Sequence, residues 1–578
     1  MKNIVFLFII LVSCTQNDTK KELDFKTVFE KSEGLETATY DETISFYKNL
    51  STEYSEISMD SIGKTDSGYP LHMVTLNPEG EFNFNTIREQ NKRILLINNG
   101  IHPGESDGID ATMMLFRDIV QGKIKTPEHT VLVTIPIYNI GGSLNRNSST
   151  RTNQNGPVSY GFRGNAQNYD LNRDFIKCDT KNAKAFAQLF HLIKPDVFID
   201  NHVSNGADYQ YTLTHLFTQH NKLGDKLGSY LQNEMMPQLE QNLLDKSWDI
   251  TPYVNVFNQV PEAGFSQFMD YPRYSTGYTT LFNTLGMMVE THMLKPYKQR
   301  VEGTYELMTS MIDVIEKDSD KIKTLREDYF KIAHKNSTYP LDWVIDSSKT
   351  STLNFKGFEG QMIPSKITGA DRLFYDRAKP FTKNVTYYNF FKPSTEVTIP
   401  QAYIIPKGWW KIIDLLKLNN VEIKPFEKDT TLTVESYKIN TYETRKQAYE
   451  GHYPHYNTTV ISKTKQVSFK KGDYYINTLQ PAFRYLIETL EPQAPDSFFN
   501  WNFFDTILQQ KEGFSPYVWE DKAQQLLIAN PKLQIDFNLR KSFDSDFSNN
   551  WYAQLDWLHK QSEFYENAHL QYPIYRIK

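Results

Sequence analysis

The residues best suited to chemistry stand together at His102-Pro103-Gly104-Glu105, directly after the apolar run 93–97 and Asn98-Asn99-Gly100. An imidazole nitrogen and a carboxylate oxygen are donors that a borderline divalent ion such as zinc takes. A separation of three residues across a Pro-Gly turn can aim both at one point. The chain holds 13 histidines, and none of the others has a glutamate three residues on. A hydrolytic zinc centre has a third protein ligand and keeps a fourth position for water. The best third donor is His202, which follows the apolar strand predicted at 196–200; His215, His220 and His292 are weaker candidates. Glu290 ends the run Met287-Met288-Val289, where a carboxylate is costly to bury unless it is paired, metal-linked or functional, and it suits a general base. His292, two residues on, shares the strand face of Glu290 and stays unassigned. Arg163 and Arg173 stand in an amide-rich loop, and guanidinium forks bind carboxylates bidentately; the competing reading pairs them with Asp170 or Asp174.

These residues need elements that end near one another. Strands are predicted at 57–64, 69–76, 93–98, 130–138, 196–200 and 284–290, and helices at 41–53, 108–121, 179–193 and 298–316. The alternation implies an α/β fold with a mixed, largely parallel sheet flanked by helices, in which ligands bind beyond the carboxyl ends of strands. His102, His202 and Glu290 all fall at such ends. The polar stretch 146–170 is too long for a simple connection, and a long loop in a compact domain usually carries function. A charged helical stretch from 318 gives way to a linker ending near Pro340. Beyond it the chain becomes a strand-rich α/β accessory region, with a strand at 430–437, a hairpin over 466–476 turning at Lys470-Lys471-Gly472-Asp473, and a helix at 407–418.

Composition narrows the function class. The hydrophobic fraction is 39% and the aromatic fraction 14%, enough to build several cores. A net charge of -6 without a basic tract argues against nucleic-acid binding. At the N-terminus Lys2 precedes an apolar run at 4–12, which is short of the about 20 residues that span a bilayer but fits a signal-peptide core. Leu11-Val12-Ser13-Cys14 resembles the lipobox of bacterial lipoproteins, which implies lipid on Cys14 and a tether after it. Only Cys178 remains as a second cysteine, so no disulfide framework forms in the mature chain, and Cys178 reads as a small core residue.

Taken in order, His102-Pro103-Gly104-Glu105, Asp170-Leu171-Asn172-Arg173, His202 after one apolar strand and Glu290 after another resemble the zinc carboxypeptidases of the funnelin type, peptidase family M14. Ile135-Pro136-Ile137-Tyr138-Asn139 and the segment 62–71 also resemble that family, and the likeness covers about residues 35–320. It implies zinc held by His102, Glu105 and His202, with Glu290 activating water and passing a proton to the leaving amine. It implies that Asn172 and Arg173 hold a substrate carboxylate and that an arginine stabilises the oxyanion. Arg163 matches the spacing of the cytosolic branch and Arg151 is nearer that of the digestive branch; Arg163 is preferred. The family's substrate tyrosine is Tyr271, Tyr274 or Tyr278, and Tyr274 is taken.

The resulting layout is a signal peptide with lipobox at 1–14, a tether at 15–35, a zinc carboxypeptidase-like catalytic domain at 36–325 and the accessory region at 340–578. The expected function is that of a metallocarboxypeptidase of a bacterial cell envelope, anchored to the membrane through Cys14 and acting on peptides with a free C-terminal carboxylate. The resemblance places the residue that sets side-chain preference in the stretch 275–279, which holds no charge and so mildly disfavours strict preference for basic residues. The rivals are an amidase on cell-wall stem peptides or an acylase on N-acyl amino acids using the same site, and a non-catalytic peptide- or glycan-binding lipoprotein.

Overall fold

The computed structural model describes residues 24–333 and 337–578; the signal peptide, Cys14 and most of the tether lie outside them. The first strands are β1 Ile57–Lys64, β2 Pro70–Leu76, β3 Arg93–Asn98, β4 Thr130–Ile135, β5 Val197–Ser204, β6 Leu213–Phe217, β7 Ile250–Pro252, β8 Phe265–Ser266 and β9 Leu285–His292. Eight of them form one sheet in the order β1-β2-β4-β3-β5-β9-β6-β7. The centre, β4-β3-β5-β9, is parallel, and antiparallel pairs join β1 to β2, β2 to β4 and β6 to β9.

Every residue of β3, β4 and β5 is buried, as their apolar runs require of strands covered on both faces. Alternation divides them between two cores. Leu95 and Ile97 pack with the helices Tyr40–Glu53, Asp107–Val120 and Tyr297–Ala333. Ile94 and Leu96 face the helix Lys181–Ile193 and, behind it, Tyr403, Ile405, Ile412 and Leu416 from the C-terminal half. The second core therefore runs across the two halves of the chain. Caps fix the helix starts: Thr39 and Glu42 form a reciprocal capping box, and Thr180 accepts from Ala183 N–H.

Four elements depart from the sequence reading. The strand expected to reach residue 138 stops at Ile135, because Pro136 has no N–H to give the ladder. β5 continues to Ser204, so His202 lies within the strand rather than after it. The helix expected at 298–316 and the charged helical stretch expected from 318 are one element, helical through Ala333 with one irregular residue, Asp318, because Ile322 and Tyr329 are buried in the first core. No hairpin forms over 466–476.

The remaining strands explain that last point. They are β10 Thr338–Ile345, β11 Ser351–Pro364, β12 Asp371–Tyr388, β13 Phe391–Thr398, β14 Ala402–Ile405, β15 Lys424–Pro425, β16 Thr430–Thr444, β17 His455–Phe469, β18 Tyr474–Asn477 and β19 Gln571–Ile577. Six form a sheet in the order β15-β18-β14-β19-β16-β17. The chain turns at 470–473, but β17 pairs with β16 while β18 inserts between β14 and β15, where Ile476 is buried. The turn residues signal a reversal, not a neighbour. β11 and β12 form a long hairpin to which β8 adds a short parallel strand.

Candidate metal centre and substrate cavity

The carboxyl ends of β3, β5 and β9 meet at one edge of the sheet. His102 follows β3, and His202 and Glu290 sit opposite one another in the β5–β9 register. A cavity of about 330 Å³ opens there, lined by His102, Glu105, His202, Glu290, Arg163, Asn172, Arg173 and Tyr274. All eight residues singled out in the sequence share this one space.

The ligand atoms of His102, Glu105 and His202 lie within 4.8 Å of one another, and all three side chains are buried. Each imidazole is held from behind by a carboxylate. His102 Nε2 is 2.9 Å from Asp170 Oδ1, and His202 Nε2 is 2.9 Å from Asp200 Oδ2. Asn98 in turn donates to Asp200 Oδ1. A carboxylate at Nε2 fixes the proton there and leaves Nδ1 as the donor atom facing the centre, the usual support of a metal-binding histidine. Among the described residues His102 Nδ1 has no hydrogen-bond partner although it is enclosed. Glu105 Oε1 stands 3.4 Å from it, and Glu105 Oε2 is 3.2 Å from His202 Nδ1. An enclosed, unpartnered imidazole nitrogen beside a carboxylate and a second Nδ1 is a nitrogen and oxygen donor set that fits zinc.

The charges agree with that fit. Burial raises the Glu105 pKa, but Arg151 and His102 overcome it and hold the carboxyl well below its ordinary range. Arg151 Nη2 donates to Glu105 Oε1 at 2.7 Å, and Val203 N–H donates to Oε2 at 2.9 Å. Against the same desolvation, His202 is drawn toward the protonated form by Asp200 and Glu105, so the acid-rich centre favours a positive charge. Glu290 faces the cavity half-buried, and desolvation chiefly, with Glu105 and Asp200 adding to it, pushes its carboxyl up to about 7.

The arginine loop makes the ion pair with Asp170 that one sequence reading expects. Arg163 Nε donates to Asp170 Oδ2 at 2.9 Å, and Arg173 Nη1 lies 3.9 Å from the same oxygen, while Asp174 pairs with Lys177 instead. Both arginines nevertheless reach the cavity. Asn172 is fixed by Ser275 N–H, which donates to its Oδ1 at 3.1 Å, and Arg173 stacks on the Tyr274 ring at 4.6 Å. Arg151 lies at Glu105 outside the cavity lining, which separates it from Arg163.

Other candidates fall elsewhere. Tyr271 donates to Asp342, and Tyr278 is buried against His191 and Asn419. His215 pairs with Glu240, His220 packs on Phe390, and His292 is held by Asp208 and the Tyr209 ring. Cys178 is fully buried. Leu216, Tyr253, Phe257, Phe268 and Met288 complete the wall. Nothing local in the sequence marks them, because Leu216 on β6, Met288 on β9 and the loop residues Tyr253, Phe257 and Phe268 are brought together only by the fold. Asp200 did carry a signal: an acidic residue inside an apolar strand, two before His202, needs a partner.

Residues 43–197 match the profile of the zinc carboxypeptidase family, peptidase M14. The match spans His102, Glu105, Arg163, Asn172 and Arg173 and ends before His202 and Glu290. Carboxypeptidase 2 of Trichophyton rubrum is 21% identical over 504 residues, 81% of this chain and 84% of that protein. Among solved structures, a metallo-carboxypeptidase from Burkholderia cenocepacia is 17% identical with a TM-score of 0.36, covering 49% of this chain and 70% of its own. A carboxypeptidase A from Helicoverpa armigera is 12% identical with a TM-score of 0.37, covering 48% and 73%. With the family match carrying the first ligand pair and the fold bringing His202 beside it, the stretch 43–197 is similar to a zinc carboxypeptidase domain, and the protein is a zinc metallopeptidase.

Proposed function

We propose that this protein is an exported zinc metallocarboxypeptidase that removes a C-terminal residue from peptides. The observation that carries this reading is the single cavity shared by the buried His102-Glu105-His202 donor set, Glu290 and the Asn172-Arg173 pair. Zinc held by the three donors supplies Lewis acidity and lowers the pKa of water. The Glu290 carboxylate takes a proton from the attacking water and returns it to the leaving amide nitrogen. Arg163 places its guanidinium where the carbonyl oxygen gains charge. Arg173 and Asn172 grip the terminal carboxylate, and Tyr274, stacked on Arg173, closes over it.

The wall formed by Leu216, Met288, Phe268 and Tyr274 suits an apolar C-terminal side chain. For localisation, the run at 4–12 and Leu11-Val12-Ser13-Cys14 support export with lipid on Cys14 at the cell envelope. Mass spectrometry of the mature N-terminus tests that part: an unmodified start anywhere but Cys14 removes the anchor. Activity is tested with N-acyl dipeptides bearing a free C-terminal carboxylate beside their amides, with zinc measured in wild type, His102→Ala and His202→Ala. Zinc loss in both variants and release only from free carboxylates are expected. Equal zinc in all three proteins, or release only from cell-wall stem peptides or N-acyl amino acids, rejects the reading.

A further inference from the structure

The hub of the site is Asp170. Its Oδ1 holds His102 Nε2 and accepts from Asn172 N–H, and its Oδ2 accepts from Arg163. One carboxylate thus orients a metal donor and an arginine while shaping the turn that carries Asn172 and Arg173. Its own backbone is pinned from far away: the Asp170 N–H donates to Glu450 Oε2 at 2.9 Å, across 280 residues of sequence.

Glu450 is presented by a tight turn between β16 and β17. Tyr449 and His452 exchange both backbone hydrogen bonds, and the two residues between them, Glu450 and Gly451, have φ of 49° and 80°. Positive φ at both central positions marks the mirror-image hairpin turn, whose first central position favours asparagine, aspartate or glycine. A glutamate there costs about 1–2 kcal/mol of backbone strain. The turn also has no slack: a Cβ on Gly451 would come within 2.7 Å of Tyr169 Oη, and His452 Nε2 grips Asp179 Oδ2 at 2.7 Å on the other side of the same loop. A strained residue that touches the hub of a reactive site is held there for what its side chain does.

We infer that Glu450 is a positioning residue, supplied by the C-terminal half, that sets the Asp170 loop and through it His102 and the carboxylate clamp. The hydrogen bond fixes where the Asp170 carboxylate can point. Without it the hub is free to shift, and metal donor and clamp loosen together. The inference rests on the metallocarboxypeptidase reading for its catalytic readout but not for its metal readout.

The test separates positioning from scaffolding because glycine is the better residue for the turn. Glu450→Gly in the full-length protein removes the acceptor and relieves the strain, so thermal stability should hold or rise. Zinc affinity, measured on metal-free protein by competition with a chromophoric chelator, should weaken by about three- to tenfold, below the 10–100-fold typical of direct partners of metal ligands. KM for an N-acyl dipeptide with a free carboxylate should rise by a similar factor, with a smaller fall in kcat. Glu450→Gln keeps an acceptor oxygen and should restore both. Glu450→Gly with wild-type zinc affinity and KM overturns the proposal, as does a folded Glu450→Gln variant as impaired as Glu450→Gly. If wild type cleaves no peptide, the proposed reaction fails, and the zinc comparison still decides the role of Glu450.

Discussion

Glu290 carries two demands: it must be a base near neutral pH, and it must sit beside a metal centre without being captured by it. Desolvation answers the first, pushing its carboxyl up to about 7. A bound cation favours the ionised form, so kcat/KM should rise with pH along an acidic limb whose midpoint lies at or below that value. Glu290→Gln should keep zinc, lose about 10²–10⁴-fold in kcat and flatten that limb; unchanged turnover removes Glu290 from the reaction. Arg173 makes a separate prediction. A charge-assisted pair is worth about 1.5–3 kcal/mol, so Arg173→Met should lose on the order of 10–100-fold in kcat/KM on a free-carboxylate dipeptide. Equal loss on a larger peptide lacking that carboxylate would place Arg173 elsewhere in the mechanism.

The elements that hold these residues were legible where burial alone dictates structure. β3, β5 and β9 announce themselves as apolar runs, and the polar residues at their ends were therefore candidates. The swap of neighbours at β18 and the support of Asp170 by Glu450 were not legible, because both depend on partners chosen by tertiary packing. The helix Asp107–Val120 shows how tightly the elements behind the site are set. A Cβ on Gly108 would lie 2.4 Å from both Asn201 Cβ and Asn99 Oδ1, so this face of the helix lies against the strand that carries His202. Alanine gains about 1 kcal/mol of helix propensity over glycine, but overpacking costs about 1–3 kcal/mol and must also displace Asn201. Gly108→Ala should therefore lower both the melting temperature and zinc affinity. Two residues on, Asp110 accepts from Thr37 and Tyr297 while fully buried, and desolvation raises its pKa to about 6. The folded state keeps this proton where the unfolded chain has lost it. The contribution is complete below about pH 4 and disappears as pH rises through about 6, a change of about 3 kcal/mol. The stability difference between wild type and Asp110→Asn, measured by urea unfolding from pH 4 to 7, should follow that curve; a flat difference rejects it.

At the scale of the whole molecule, the second core joins Ile94, Leu96 and Phe186 to Tyr403, Ile412 and Tyr485. Arg484, fully buried, donates to the Lys222 carbonyl from across the same seam. A chain ending at residue 333 would expose this core, so it should be recovered unfolded or aggregated, while the intact protein should melt in one calorimetric transition. A soluble truncated chain with native zinc affinity would show the halves to be independent. The β5–β9 pairing has a different consequence. His202 and Glu290 stand on neighbouring strands, yet residues 205–284 lie between them in sequence, and that excursion supplies Leu216, Tyr253, Phe257, Phe268 and Tyr274 to the cavity wall. The strand pairing acts as a ruler for the reacting groups, and β6 adds to it by placing Thr214 opposite Glu290, while the loops after β6 can change length and composition without moving them. Substrate preference can therefore be retooled by mutation in one continuous stretch of the gene, with the hydrolytic chemistry left in place.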